Sequence, residues 1–395
     1  MSLAAPFTPP SRATSSTPPT RKLRIAIVQG AFLPVPALRG GAVEKIWFAL
    51  GKAFAARGHE VTHLSRLCDG LPETEVIDHV RHLRVPGFDV PASLVKLKLL
   101  DLIFSLRIRR ILPASDVVVT NTFFTPCVLS PRRHGALWVH VQRYPKGQMR
   151  LYTRAARLQT VSSVIAHAMI EQAPAMREKV CIIPNPVSPV QPLQPVRRDD
   201  NLVLFVGRLH PEKGVTLLLE AFAHLKARRP EARLRIVGPW QTRYGGAGDA
   251  FHADLLGRAA PFGSSIEFTG PVFDERALAG HYAEAGTFAY PTLAAKGEAS
   301  PVAPVEALSH GLPVVVSDLE CFNDYLQDDP FALRFNCTAP DAADQLARAL
   351  DQGLIAGKDP GVRAAAISRA ASLSIDAIAD RYLEGFMGVV QPNRT

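Results

Sequence analysis

The chain has 395 residues, and no apolar run in it approaches the roughly 18 residues that a membrane-crossing helix needs, which argues against an integral membrane protein. Cysteine is scarce. There are five, Cys68, Cys127, Cys181, Cys321 and Cys337, scattered and never in a Cys-x-x-Cys pair. Such a set does not build a disulfide framework or a structural zinc site, and it fits a reducing compartment. No G-x-G-x-x-G follows the first candidate strand, where residues 28–41 read VQGAFLPVPALRGG, so a dinucleotide dehydrogenase is disfavoured. No cluster of interleaved basic and aromatic residues marks a nucleic-acid module, and none is expected to bind. Acidic residues are outnumbered 36 to 45 by basic ones, a formal net charge of +9. That bias favours anionic partners without choosing among nucleotide phosphates, nucleic acid and an acidic membrane surface.

Hydrophobic residues make up 47% and charged residues 21%, an ordinary globular balance for a chain of two or three domains. Residues 1–21 are dominated by Pro, Ser, Thr and Ala. This composition predicts a disordered tail, and without an apolar central stretch it does not read as a secretory signal. From Leu23 onward short apolar runs alternate with amphipathic segments. LRIAIV (23–28), EVTHL (60–64), VRHLRV (80–85), DVVVT (116–120), ALWVHV (136–141), LQTV (158–161) and KVCII (179–183) read as strands. The first helix is expected after Gly40 and Gly41, with Val43, Ile46, Trp47, Leu50 and Phe54 on one face and Gly58 as its stop. PNPVSPVQPLQPVRRDD (184–200) carries five prolines and reads as a linker. The rhythm restarts with LVLFV (202–206), LRIV (234–237), IEF (266–268), TFAY (287–290) and PVVV (313–316).

Strands alternating with helices predict an α/β protein with two Rossmann-like, doubly wound parallel-sheet domains. The expected limits are 22–185 for the first domain, 186–200 for the linker, 201–373 for the second domain, and 374–390 for a C-terminal helix returning to the first. Ligands should sit beyond the carboxyl ends of the strands, in the cleft between the sheets. The segment ASLVKLKLLDLIFSLRIRRIL (92–112) is very apolar yet carries Lys96, Lys98, Arg107, Arg109 and Arg110. It reads either as a sheet-covering helix whose basic side chains snorkel or as a helix lying on an anionic membrane.

Three stretches carry chemistry. In VGRLHPEKG (206–214) a strand end is followed by Arg208 and Lys213 just before a helix. Cations at a helix N-terminus are unfavourable unless an anion binds there, to which Arg208 would offer a fork of donors and Lys213 a point charge; alternatively, Glu212 neutralises Lys213. In GEASPVAPVEALSHGLPVV (297–315), Pro304 suits a first helical turn and puts Glu306 near the positive end of a dipole. There its carboxylate should stay ionised and accept hydrogen bonds from the two hydroxyls of a ribose, while Glu298, in the preceding loop, is free to face a sugar. His140, at the carboxyl edge of its strand, should face the cleft.

Together these residues resemble the retaining family-4 glycosyltransferases of the GT-B fold. The resemblance covers about residues 22–390 and rests on GGAVEK with RGHEVT behind it, VGRLHPEKG, and the Glu298/Glu306 motif followed by ALSHGLPVVVSD. It implies transfer of a sugar from a nucleotide-sugar donor, most commonly a UDP-sugar, to a carbohydrate or lipid-linked hydroxyl acceptor in polysaccharide or glycolipid synthesis. By motif match, Arg208 and Lys213 would neutralise the donor diphosphate, Glu306 hold the ribose, Glu298 the sugar, and His140 contact the sugar at the reaction centre. Gly40 and Gly41 would form the glycine loop that lets backbone approach donor and acceptor. No D-x-D triplet occurs, so the metal site of the other large glycosyltransferase fold is absent, and no cofactor is implied beyond the donor itself, which is a substrate. Ser300-Pro301-Val302 stands where the family often has Phe-Gly, and Pro301 has no N–H to give. Two rival readings use the same two-domain plan: a sugar-nucleotide epimerase, which needs no acceptor, and a solute-binding protein, which would need export. The expected location is the cytoplasm, with peripheral contact at the inner membrane face compatible with the basic helix.

Overall fold

The computed structural model describes residues 21–38, 41–188, 190–295 and 298–390. The tail expected over 1–21 therefore lies outside the described residues except for Arg21, as does Gly40. Two sheets organise the chain. The first is built from β1 (Arg24–Val28), β2 (Glu60–Leu67), β3 (Thr74–Ile77), β4 (Val80–Pro86), β5 (Val117–Thr120), β6 (Ala136–Val141), β7 (Arg157–Thr160) and β8 (Val180–Ile182). The second contains β9 (Leu202–Val206), β10 (Arg233–Val237), β11 (Ile266–Gly270), β12 (Thr287–Tyr290), β13 (Val314–Ser317) and β14 (Ala332–Phe335).

The spatial orders are β3-β4-β2-β1-β5-β6-β7-β8 and β11-β10-β9-β12-β13-β14. In each sheet the chain runs outward to one side of its first strand and then returns to the other side. Each sheet thus has a switch point, between β1 and β5 and between β9 and β12, where connecting loops diverge and leave a crevice. All pairings are parallel except β3 with β4. At that edge the turn at Asp78 and His79, both with positive φ, folds β3 back on β4.

Burial on both faces explains the apolar strands. Ile25, Ile27, Val117, Val119 and Trp138 are fully buried, against Trp47, Leu50 and Phe54 of the helix Ala42–Ala56. The last helix, Ile375–Val390, packs on that first helix. The ring of Tyr382 lies 5.0 Å from Trp47, and that of Phe386 lies 5.0 Å from Trp138. Arg57 fastens the contact by pairing with Asp380 at 2.7 Å and Asp376 at 3.1 Å. Buried polar side chains also sit in this layer. His63 and His82 occupy register-matched positions on β2 and β4 and stack with centroids 5.4 Å apart, fully buried.

The two sheets also touch across the cleft. Lys45 Nζ lies 3.2 Å from Glu275. Asp324 accepts hydrogen bonds from both the backbone N–H (2.8 Å) and the hydroxyl (3.1 Å) of Ser163, at the start of the helix Ser163–Gln172. His167 on that helix lies 3.0 Å from Glu320.

Candidate active site

The loop after β9 carries Arg208 and leads through the single turn Pro211–Lys213 into the helix Val215–Arg228. Gly214 joins the two with φ 70°, and a Cβ there would run into the carbonyl of Pro291, so this close approach of two loops needs glycine. The contact brings the loop after β9 against the loop after β12, on either side of the second sheet's switch point. Lys213 and Glu298, 85 residues apart, consequently form an ion pair. Both are largely buried, at 8% and 6% exposure. Glu298 Oε1 also accepts from the Tyr290 hydroxyl (3.0 Å) and the Thr292 hydroxyl (3.1 Å). Lys213 Nζ is itself 3.2 Å from the Tyr290 oxygen. The structure thus answers what balances the lysine: its partner is Glu298. Glu212 instead pairs with Arg208, at 2.8 Å. Glu298 is not free in its loop as expected; three donors converge on one of its oxygens.

Arg208 remains half-exposed and holds the loop after β10 by donating to the carbonyl of Gly245 at 2.6 Å. Beside it, Tyr244 and Phe273 present exposed rings with centroids 5.0 Å apart. They lie on the loops after β10 and β11, at the same carboxyl edge. The sequence reading did not single them out, because isolated aromatics in loops carry no periodic signal.

Glu306 lies in the first turn of the helix Ala303–Ser309, with Pro304 at the second position. Its neighbours differ from the expectation. Burial pushes its carboxyl above the usual value, against the opposing effect of the Tyr282 hydroxyl, which donates to it at 2.9 Å. Desolvation is the largest influence on this carboxyl and acts against ionisation, in the direction opposite to the one expected from its place in a first helical turn. Glu306 lines a cavity of about 280 Å³ together with Lys45, Glu275, Tyr282 and His310. Lys45 belongs to the first sheet's layer and the others to the second, so this cavity lies between the domains. Pro301, in the preceding loop, uses its carbonyl to accept from Tyr325 at 3.3 Å.

From the opposite side, His140 sits near the carboxyl end of β6 with 4% exposure. Its Nδ1 is 2.5 Å from Gln159 Oε1 and its Nε2 is 2.8 Å from Gln142 Oε1. Burial pushes its pKa below the usual value. Trp47 packs against its ring, edge on, at 5.4 Å. Gly41 caps the first helix with φ 110°, and a Cβ there would collide with the Glu44 carboxylate. Glu44 was not among the expected site residues, although it lies within GGAVEK. It is buried, its carboxyl is pushed up by that burial, and Arg143 in the loop after β6 opposes the shift. Arg143 is thereby placed near Glu44, three residues after Gly41. Among the described residues no group of three or more His, Cys, Asp or Glu side chains has metal-binding geometry.

Comparison with known proteins gives a consistent family. The model for "Glycosyl transferases group 1" matches residues 200–355, and that for "Glycosyltransferase Family 4" matches residues 40–191. The phosphatidyl-myo-inositol mannosyltransferase of Mycobacterium tuberculosis is 34% identical over 160 residues, 40% of this chain and 38% of that protein. The match therefore spans about two fifths of that relative's length. Spore coat protein SA of Bacillus subtilis is 25% identical over 236 residues, 55% of this chain and 61% of that protein. Among solved structures, sucrose-phosphate synthase from Thermosynechococcus elongatus superposes with a TM-score of 0.68 at 20% identity, covering 93% of this chain and 99% of that one. A UDP-forming trehalose-phosphate synthase from Burkholderia xenovorans gives 0.70 at 11% identity, covering 94% and 100%. At those identities the likeness is one of fold, and the fold is GT-B.

Proposed function

The chain belongs to the group-1 and family-4 glycosyltransferases, and from that premise we propose that it moves a sugar from a nucleotide-sugar donor to a hydroxyl acceptor, retaining the anomeric configuration and using no metal ion. The observation that carries this reading is the meeting, at the second sheet's switch point, of Lys213 on the loop after β9 with Glu298 on the loop after β12, with Arg208 half-exposed on the same loop as Lys213.

The chemistry follows from charge. As the sugar–phosphate bond breaks, negative charge accumulates on the leaving diphosphate. Cations fixed in advance near that oxygen stabilise the transition state more than the ground state, which is how a metal-free site lowers the barrier. Arg208, half-exposed beside Tyr244 and Phe273, suits a phosphate next to the flat face of a base. Lys213 is held close by Glu298 and can turn to a phosphate oxygen, leaving the carboxylate to receive a sugar hydroxyl. Glu306, already accepting one hydroxyl from Tyr282, can accept others from a ribose.

A UDP-sugar is the first donor to test. The acceptor proposed is a carbohydrate or lipid-linked hydroxyl. The lipid-linked class is supported by the helix Leu94–Ile111, whose first turns expose Leu94 (71%), Val95 (79%) and Leu99 beside Lys96 and Lys98. Apolar side chains interleaved with lysines suit peripheral contact with an anionic bilayer. Among the described residues, no helix is long and apolar enough to cross one. The deciding experiment is a turnover assay over a panel of nucleotide sugars, with and without acceptor and with and without a chelator. Product that forms only with acceptor and is indifferent to chelation supports the proposal; an altered sugar released without acceptor refutes it.

A further inference from the structure

His140 is clamped at both ring nitrogens by glutamine side chains, and only one of those glutamines has a fixed orientation. Gln159 stands opposite His140 in the β6–β7 register and is fully buried. Its amide nitrogen donates to two backbone carbonyls, Thr160 at 2.7 Å and Ile183 at 2.9 Å. Carbonyls only accept, so this amide cannot be turned over without losing both bonds and facing oxygen with oxygen. Its Oε1 is therefore committed to His140 Nδ1, and that nitrogen must carry a hydrogen.

The Nε2 side has no such lock. Gln142 is half-buried, and among the described residues its amide contacts His140 and, at 3.3 Å, Asn185 just before the linker. A ring with hydrogens on both nitrogens would be an imidazolium. No carboxylate is among its hydrogen-bond partners, and its burial disfavours an uncompensated charge. The ring is then neutral and Nε2 holds a lone pair, which requires Gln142 to present its amide N–H₂ and to accept from the Asn185 amide. Oxygen and nitrogen of an amide look alike in outline, so reversing Gln142 and Asn185 costs no geometry and restores donor to acceptor along the whole chain.

We propose that Gln159 is a positioning residue that fixes His140 as its Nδ1–H tautomer, so that Nε2, on the Gln142 side, is a hydrogen-bond acceptor. Resting on the glycosyl-transfer reading above, this assigns His140 the task of accepting a hydrogen bond from a donor-sugar hydroxyl. Gln142 occupies that acceptor until a sugar hydroxyl takes its place.

The test is nitrogen-15 NMR of the imidazole rings in the full chain at neutral pH, with His140→Ala identifying the signal. The expected result is a protonated Nδ1 and an unprotonated Nε2. Gln159→Met should let both tautomers populate, whereas Gln142→Met should leave the Nδ1–H form intact. Turnover by Gln159→Met should fall about tenfold, the loss of one hydrogen bond's worth of orientation, with nucleotide affinity unchanged. An Nε2–H ring or an imidazolium in the wild-type chain overturns the proposal, as does a Gln159→Met spectrum identical to wild type. Should Gln159→Met fail to fold, the wild-type spectrum decides alone. The spectrum is read without donor, so a failed transfer assay with the expected tautomer would refute the reaction and leave the tautomer standing.

Discussion

Replacing either member of the Lys213–Glu298 pair should leave a charge stranded in a place water barely reaches. Glu298→Gln keeps the shape and the Tyr290 and Thr292 hydroxyl contacts but deprives the ammonium of its counter-charge. Lys213→Met keeps most of the volume and strands the carboxylate. With both groups less than a tenth exposed, each single change should cost about 3–5 kcal/mol, the range for breaking a buried pair. For a cooperative unit of the second domain's size that is a fall in Tm of roughly 6–20 °C. The double variant carries no stranded charge and should recover most of the loss, giving a coupling energy above about 2 kcal/mol. Denaturant melts of the four proteins measure it. Single variants each within about 0.5 kcal/mol of wild type, with additive effects, would refute the reasoning, since they would mean that solvent screens the pair. The same geometry has a functional corollary. Lys213 must leave Glu298 to reach a phosphate, so Glu298→Gln should bind nucleoside diphosphate more tightly than wild type while losing transfer.

Three further outcomes follow from the described contacts. Burial lowers the His82 pKa from about 6.5 to about 4, so between those pH values the unfolded chain binds a proton that the folded chain refuses. Stability should be level above about pH 6.5 and fall by up to about 3 kcal/mol on acidification to pH 4 on this account; His82→Phe should lose that part of the slope in urea melts at pH 7 and pH 4.5, and an unchanged slope counts against it. His140→Ala should cut turnover more than tenfold with nucleotide affinity near normal, and turnover within twofold of wild type would make the residue a bystander. Asp324→Ala removes two hydrogen bonds across the cleft, so scattering should give a larger radius of gyration than wild type, and superimposable profiles would contradict a closing role.

The parts of the fold that were legible in the sequence are those that physics writes locally. Runs such as RIAIV and LVLFV are branched and buried on both faces, so the strands flanking both switch points announce themselves. β3 and β14 escaped because their residues are mostly half-exposed and present no apolar run. The site was legible as a set of residues but not as a set of contacts. Arg208 with Glu212 is a neighbour pair, four residues apart. Lys213 with Glu298 depends on Gly214 meeting Pro291 across the sheet's switch point, which only the fold arranges. Glu306 shows how far local reasoning reaches: the helix start was readable from Pro304, whereas the desolvation of its carboxyl comes from its surroundings in the folded chain. Gln159 was read only as part of a strand, since its partner His140 is set by β6–β7 register.

Whether the cations hold a diphosphate and Glu306 a ribose can be read from calorimetric titration of a nucleoside diphosphate and its bare nucleoside against wild type, Arg208→Ala and Glu306→Ala. Hydrogen bonds to charged groups are worth about 1.5–3 kcal/mol each, roughly ten- to more than a hundredfold in affinity. Arg208→Ala should lose that factor for the diphosphate and almost nothing for the nucleoside, while Glu306→Ala should weaken both alike. Equal losses for both ligands in an Arg208→Ala protein that melts normally would contradict the account.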